Sequence, residues 1–282
     1  MRFHEKPTTY VSEVTLKVAN LQEAIQFYQA IFLFRILRES EKQVDLTADG
    51  KTCLISLEEI EKPSEVKRTT GLFHLAILLP TRSHLVDFVK HLSNMQILIG
   101  AGDHLVSEAI YFNDLDGNGI EVYADRDYRT WTWQKDMVDM DTKAVDFHDL
   151  LKEASLEGWQ TLPLNTVIGH IHLQTTRLKE MEHFYVQGLG FQLVSQLADQ
   201  ALFVADNGYH HHIAFNTWGG PFLPDGDETT VGLQSFTIYY PRQEKRQAAI
   251  DRLEKQGNQV KINHDCAVID PNGTTIYLKI AK

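Results

Sequence analysis

The sequence is poor in cysteine and has no long apolar run, and these two absences exclude several kinds of protein. Its 282 residues include only two cysteines, Cys53 and Cys266, and no CxxC pair. This argues against a disulfide framework or a structural zinc site. The N-terminus lacks the apolar core of a signal peptide, and no stretch approaches the ~18 consecutive apolar residues that span a bilayer. We therefore expect a soluble cytoplasmic protein.

Positive charge is scarce relative to negative charge. The chain has 27 lysines and arginines against 38 aspartates and glutamates, a formal net charge of −11. Such a surface repels phosphate backbones and anionic lipids, so neither nucleic acid nor a membrane is an expected partner. Hydrophobic residues make up 43% of the chain and charged residues 23%, as in a globular protein. Histidine, with 13 residues, is abundant.

The main pattern in the sequence is internal repetition, which often determines the fold. VSEVTLKVANLQEAIQFYQAIFLFRIL from Val11 aligns with IGHIHLQTTRLKEMEHFYVQGLGFQLV from Ile168. Each combines an alternating strand, an amphipathic helix ending in Phe-Tyr, and a further strand. Segments from Gly71 and Gly232 also align, and each closes with a tight-turn sequence, DGNG or DPNG, between two strands. The repetition predicts four βαβββ-like units near residues 10–57, 71–124, 167–216 and 232–280.

Four such units resemble the vicinal oxygen chelate superfamily, which includes glyoxalases, fosfomycin-resistance proteins and extradiol ring-cleaving dioxygenases. The resemblance covers nearly the whole chain. It implies an α+β fold in which the four βαβββ units form two vicinal-oxygen-chelate domains with curved mixed sheets. We place these domains at 10–124 and 167–282, joined by a connector at 125–166 that either caps a sheet edge with a helix or covers a site as a lid. Fold alone does not determine function, so the site residues must decide.

Equivalent strand positions of the four units carry different polar residues. In units two and three they hold His74, Glu121 and His170; in units one and four they hold Glu13, Ser235 and Tyr277. Two imidazoles and one carboxylate form the facial triad that binds non-haem iron(II) and leaves positions open for substrate and dioxygen. Either histidine alone is better explained as a strand histidine with backbone partners, but the three together favour a metal site. His172 shares the strand face of His170 and is the competing candidate.

The segment Gly102–Glu121, GDHLVSEAIYFNDLDGNGIE, resembles the signature of extradiol dioxygenases of the catechol 2,3-dioxygenase kind. The resemblance implies that Glu121 is the carboxylate ligand and that His74 and His170 are the two histidine ligands. Leu115 stands where the family usually has proline. Because this is a turn position, we expect the change to affect local rigidity rather than chemistry.

The same resemblance implies roles for further side chains. Tyr111 corresponds to the tyrosine that hydrogen-bonds the substrate, and His104 to a histidine near the bound oxygen or substrate. Related dioxygenases carry HH-x-x-A-F where this chain has GYHHHIAFNTW, which aligns His211 as the acid/base and Phe215 as the anchor. A histidine with its ordinary pKa of ~6.5 can take and return a proton near neutral pH. The alternative is a polar strand start with exposed imidazoles.

The place of the signature predicts how the units pair. Well-known extradiol enzymes hold the metal between their third and fourth units, whereas here the candidate ligands fall in units two and three. Unit two must then pair with unit three, and unit one with unit four. Units one and four should form a second cavity without metal, in which Glu13 is exposed or hydrogen-bonded to Tyr277 or Ser235.

These features predict an iron(II)-dependent extradiol dioxygenase that cleaves the ring of a catechol-like vicinal diol with O2, in aromatic hydrocarbon catabolism. Manganese, zinc and nickel are alternative metals, and a homo-oligomer is left open. The expected partners are a small aromatic diol and O2. Two alternatives remain: a glyoxalase-type metal-dependent lyase or isomerase, and a metal-free small-molecule-binding protein of the same fold. The first usually needs a fourth, carboxylate-type ligand, where unit three offers its run of histidines instead.

Overall fold

The computed structural model describes residues 2–64, 68–262 and 266–281. Its regular elements repeat one strand, one helix and three further strands four times along the chain. Unit one contains β1 (Tyr10–Val18), α1 (Leu21–Phe32), β2 (Arg35–Glu39), β3 (Gln43–Thr47) and β4 (Ile55–Glu59). Unit two contains β5 (Gly71–Leu78), α2 (Arg82–Asn94), β6 (Gly100–Asp103), β7 (Ser107–Asn113) and β8 (Gly119–Asp125).

The second half of the chain begins after a connector of short elements. The connector contains β9 (Trp133–Gln134), β10 (Met137–Val138) and α3 (Phe147–Leu150), with 3-10 turns at Tyr128–Thr130 and Leu151–Glu153. Unit three contains β11 (Val167–Gln174), α4 (Leu178–Glu182) with its π-helical continuation His183–Leu189, β12 (Gln192–Leu197), β13 (Ala201–Ala205) and β14 (Ile213–Asn216). Unit four contains β15 (Gly232–Tyr240), α5 (Gln243–Lys255), β16 (Lys261–Ile262), β17 (Cys266–Ile269) and β18 (Thr275–Ile280). Within the described ranges, no helix has the length and apolar character needed to cross a membrane.

The strands form two eight-stranded mixed sheets, and each sheet takes one unit from each half of the chain. One has the order β16-β17-β18-β15-β1-β4-β3-β2, the other β12-β13-β14-β11-β5-β8-β7-β6. In each sheet the first strands of two units meet antiparallel at the centre, and each of them pairs in parallel with the closing strand of its own unit. The predicted α+β class is confirmed, as is the pairing of unit two with three and one with four. The segments 10–124 and 167–282 thus each contribute one unit to each sheet.

The repeated Phe-Tyr pairs connect each helix to the tight turn of a neighbouring unit. The hydroxyl of Tyr28 in α1 donates to Asp114 at 3.1 Å, and that of Tyr185 donates to Asp270 at 2.9 Å. Both aspartates also accept backbone N–H groups within their own turns. Because a buried carboxylate needs such partners, these bonds join helix and turn and set the start of each closing strand, including the β8 strand that carries Glu121.

The connector is mostly irregular and packs against unit two. Among its described residues, the longest α-helix of the connector is α3, with four residues. The expected helix that caps a sheet edge is therefore not present in this part of the chain. Arg82 at the start of α2 bonds the buried Glu108 together with Asp149 and Glu153 of the connector. These ion pairs hold the connector beside β7, and an isolated bridge between Lys143 and Asp103 joins its earlier part to β6.

Candidate metal centre

The three candidate ligand residues come together on adjacent strands of one sheet. His170 lies on β11, His74 on β5 and Glu121 on β8, and these strands are neighbours in that order. Nε2 of His74 lies 2.9 Å from Oε2 of Glu121, Nε2 of His170 lies 3.2 Å from the same oxygen, and the two nitrogens are 3.3 Å apart. All three side chains are buried. Among the residues that the structure describes, they are the one group of histidine, cysteine and carboxylate side chains placed to hold a metal ion.

The electrostatics of this group suit a cation. Burial by itself would raise the pKa of Glu121, but the charges and hydrogen bonds of His170 and His74 outweigh it and hold that pKa well below its usual value. Burial lowers the pKa of His170 to about 4, although Glu121 opposes the shift. An ionised carboxylate and a neutral imidazole are the forms that bind metals. Two imidazole nitrogens and one carboxylate oxygen converge here, a donor set that fits a divalent first-row metal.

Two glycines let the strands around the ligands approach closely. Gly169 lies at a register irregularity of β11 just before His170, and a Cβ there would lie 1.9 Å from Oη of Tyr123. Gly119 of β8 pairs with His74 of β5, and a Cβ at Gly119 would lie 2.3 Å from the carbonyl oxygen of Phe73. Tyr123 was not among the residues predicted from the sequence, although the alternation of a strand places it on the same face as Glu121.

The three candidate ligands line a cavity of about 560 Å³, within the ~300–1,000 Å³ typical of small-molecule sites. All three predicted catalytic side chains, His104, Tyr111 and His211, line it as well. Part of the wall is apolar and was not identified from the sequence; it consists of Phe73, Met140, Leu197, Phe203 and Trp218. The connector contributes residues 140–142 and therefore forms part of the cavity wall.

Tyr111 and His104 form a hydrogen-bonded pair inside the cavity. Oη of Tyr111 lies 2.6 Å from Nε2 of His104, whose Nδ1 lies 3.1 Å from the carbonyl oxygen of Asp141 in the connector. Because a carbonyl only accepts, the Nδ1–H of a neutral His104 donates to it, and Nε2 accepts the phenol proton of Tyr111. Burial and the nearby Glu121 raise the pKa of Tyr111 well above its usual value, so this phenol remains protonated.

His211 lies directly against one of the candidate ligands. Its ring centroid is 4.0 Å from that of His170, and its Nδ1 lies 2.7 Å from Nδ1 of His210. Burial, with smaller contributions from His170 and His210, lowers the pKa of His211 well below its usual value. His172 also lines the cavity, but its Nε2 lies 3.0 Å from Nδ2 of Asn216 and it does not join the ligand group.

The run of three histidines is buried, so the alternative of exposed imidazoles is wrong. His210 and His212 are fully buried and His211 is 8% exposed. Nε2 of His212 donates to the carbonyl oxygen of Phe3, and Nε2 of His4 donates to that of Gly169. The N-terminal segment therefore packs behind the candidate ligands, a contact for which the sequence carries no local signal.

The other sheet has a cavity of its own, as expected. It is lined by polar groups that include Glu13, Ser235 and Tyr277. The expected partners of Glu13 are wrong: it accepts from Tyr239 at 2.5 Å, Lys279 at 2.7 Å and Thr237 at 3.2 Å. Glu13 lies at a register irregularity of β1 with a φ of 48°, which turns its carboxylate toward these side chains. That this cavity holds no metal stays a prediction.

Known proteins share both the sequence and the fold. Residues 10–122 match the model of the Glyoxalase/Bleomycin resistance protein/Dioxygenase superfamily. Over 261 residues the chain is 42% identical to a catechol-2,3-dioxygenase of Bacillus subtilis strain 168, covering 90% of each protein. The chain belongs to this superfamily. A metallothiol transferase FosB of Staphylococcus haemolyticus is 28% identical over 116 residues, which are 40% of this chain and 81% of that protein.

Solved structures share the fold of this chain at low sequence identity. A Bacillus subtilis protein assigned as a dioxygenase superposes with a TM-score of 0.63 at 12% identity, covering 97% of this chain and 86% of that one. A glyoxalase I variant from Zea mays superposes with a TM-score of 0.59 at 12% identity, covering 96% and 94%. The family model and the 42% identity confirm the predicted superfamily membership, and the chain is an enzyme of the dioxygenase kind, as the sequence predicted.

Proposed function

We propose that this protein is an iron(II)-dependent extradiol dioxygenase that cleaves the ring of a catechol-like vicinal diol with O2. The observation that carries the proposal is the convergence of His74, His170 and Glu121 at a cavity that also contains three proton-bearing side chains. The 42% identity to a catechol-2,3-dioxygenase supports it. The fold alone would not, because the superfamily also includes glyoxalases and transferases.

The metal would be held by one oxygen and two nitrogens on three adjacent strands. A facial set of this kind leaves coordination positions open toward the cavity. When bound there, iron(II) would supply a Lewis acid and a path for electron density between the diol and dioxygen. The set contains no thiolate, so manganese, zinc and nickel are alternative occupants that metal analysis must compare with iron.

Three further polar side chains of the cavity bind and move protons. His211, beside His170, takes a proton from a diol hydroxyl and later returns it. Tyr111 remains a phenol and donates to the substrate oxygen, while His104, held by the connector, accepts from Tyr111 when no substrate is bound. Each of these roles concerns turnover rather than retention of the metal.

The size and lining of the cavity indicate the kind of diol. About 560 Å³ is more space than an unsubstituted catechol ring fills, and the space beside the polar groups is lined by Phe73, Phe203 and Trp218. Burial of apolar substrate surface against these rings is favourable. We therefore propose a catechol that carries an apolar substituent.

The experiment is anaerobic loading with iron(II) followed by a panel of catechols with and without alkyl or aryl substituents. We expect equimolar uptake of O2 and a yellow ring-cleaved product, with higher kcat/KM for the substituted diols. Glu13→Gln removes a carboxylate in the other cavity and is the matched control. It should leave O2 uptake and kcat/KM unchanged. Isomerisation of a hemithioacetal without O2 uptake would instead support a glyoxalase, and a chain without stoichiometric metal would support a binding protein.

A further inference from the structure

A line of hydrogen bonds runs from the cavity toward the surface through the buried histidines. Nδ1 of His211 lies 2.7 Å from Nδ1 of His210, and Nε2 of His210 lies 2.9 Å from Oδ1 of Asp125. His210 is fully buried, whereas the Asp125 side chain is 23% exposed. Asp125 ends β8 four residues after Glu121, so the strand that supplies a candidate metal ligand also supplies the end of this line.

The chemistry of the three groups gives the line one direction. A carboxylate only accepts, so the Nε2 of His210 must carry a hydrogen. A neutral imidazole carries only one N–H, so Nδ1 of His210 has a free lone pair. It accepts a hydrogen bond from the Nδ1–H of His211. Nε2 of His211 is then left without a proton, and it is the nitrogen not bonded to His210 on a side chain that lines the cavity.

We propose that Asp125 and His210 are positioning residues that hold His211 in the tautomer whose Nε2 can accept a proton from the substrate. The role of that proton transfer rests on the proposed dioxygenase function, whereas the tautomer itself does not. In the reaction, Nε2 takes the proton of a diol hydroxyl while Nδ1–H continues to donate to His210. When Nε2 returns the proton, His211 is again in its starting form.

The packing around the line keeps it in place. The His210 ring lies 4.0 Å from the ring of Tyr209 and 5.1 Å from that of Trp131, a residue of the connector. Tyr209 also donates its hydroxyl to Oδ1 of Asp125 at 3.3 Å and lies 2.7 Å from the hydroxyl of Tyr123. Asp125 therefore accepts from two donors at one oxygen, and His210 has little freedom to turn.

The tautomer can be read directly by nitrogen NMR of protein labelled at histidine and loaded with diamagnetic zinc. The His211 resonances are assigned by their loss in His211→Gln. We expect the proton of His211 on Nδ1 and an unprotonated Nε2. A proton on Nε2 in the wild-type protein would overturn the proposal, whatever the enzyme's activity proves to be.

Two substitutions at one position separate the hydrogen bond from simple packing. His210→Phe keeps an aromatic ring but removes the nitrogen that accepts the Nδ1–H of His211. The proton of His211 should then move to Nε2, from which it can donate to groups in the cavity. We expect kcat to fall by about 10²- to 10⁴-fold, as for loss of a positioned base, with KM and iron content unchanged. His210→Asn can place its amide oxygen near the former Nδ1, and should restore the tautomer and most of the rate. Equal loss in both variants would contradict the proposal.

The carboxylate end of the line has its own test. Asp125→Leu removes the acceptor of the His210 Nε2–H, so His210 is no longer held in one tautomer. Both tautomers of His211 should then be populated, and kcat should fall by less than in His210→Phe. Asp127→Leu is the matched control, because Asp127 lies two residues away and pairs with the exposed Arg129. If Asp125→Leu keeps the wild-type tautomer, Asp125 is not a positioning residue. If the wild-type protein cleaves no diol, the proposed function fails, and the NMR result still decides the tautomer.

Discussion

Replacement of Gly169 by alanine tests how closely the strands behind the metal centre must approach. The added methyl group would lie 1.9 Å from Oη of Tyr123. Tyr123 is fully buried, its ring lies 5.0 Å from that of His170, and its hydroxyl is held by Tyr209. Either Tyr123 or β11 must therefore move, and overpacking of this kind costs about 1–3 kcal/mol. For a chain of this length 1 kcal/mol shifts the melting temperature by about 2–4 °C, so we expect a decrease of about 2–12 °C.

The assay is thermal unfolding together with iron content after anaerobic loading. Because His170 follows Gly169 directly, displacement of β11 should lower iron content as well as stability. Gly100→Ala is the matched control: it lies in the same sheet, and its added Cβ would meet Tyr111 no closer than 3.6 Å, an ordinary contact. We expect the control to stay within about 0.5 kcal/mol of wild type. A Gly169→Ala protein with wild-type melting temperature and iron content would refute the reasoning.

Three further predictions concern single side chains. His211→Asn should retain its iron and lose about 10²- to 10⁴-fold in turnover, measured by O2 uptake, and loss of the iron would make His211 a ligand instead. Tyr111→Phe should also retain iron but have a lower kcat/KM. A kcat/KM equal to that of wild type would contradict this. Burial raises the pKa of Asp270 from 3.8 to about 6, so the folded state binds its proton more tightly than the unfolded state does. Its contribution to stability is complete below pH ~4 and is lost as the pH rises through 6. Denaturant unfolding should show that the free energy of unfolding falls less between pH 4 and 7 for Asp270→Asn than for wild type. An equal dependence on pH in the two proteins would contradict this.

The internal repeat makes the fold and the cluster of candidate ligands predictable from the sequence. Equivalent positions of repeated units fall on equivalent strands, so aligning the units is enough to place His74, His170 and Glu121 on one face of a sheet. The place of the signature in unit two also predicts the pairing of unit two with unit three. The first inference needs only the period of a strand and the internal symmetry of the chain, whereas the second rests on the resemblance to the extradiol signature.

The surroundings of the site are less predictable, because they depend on contacts between distant segments and on irregular strands. His4 reaches Gly169 across 165 residues, and no local pattern indicates that contact. The connector supplies the Asp141 carbonyl that holds His104, through backbone that has no periodic sequence signal. Glu13 has partners other than those expected, because a register irregularity in β1 changes the direction of its side chain.

Iron stoichiometry of Glu121→Gln tests the central claim most directly. Glutamine has nearly the size of glutamate but lacks the charge, so the fold can be kept while the one anionic member of the ligand group is lost. Wild-type protein loaded anaerobically should retain close to one iron per chain, and Glu13→Gln, the matched change in the other sheet, should retain the same. We predict that Glu121→Gln retains little iron after desalting, with an unchanged circular dichroism spectrum. If it retains as much iron as wild type, the metal is not held by His74, His170 and Glu121.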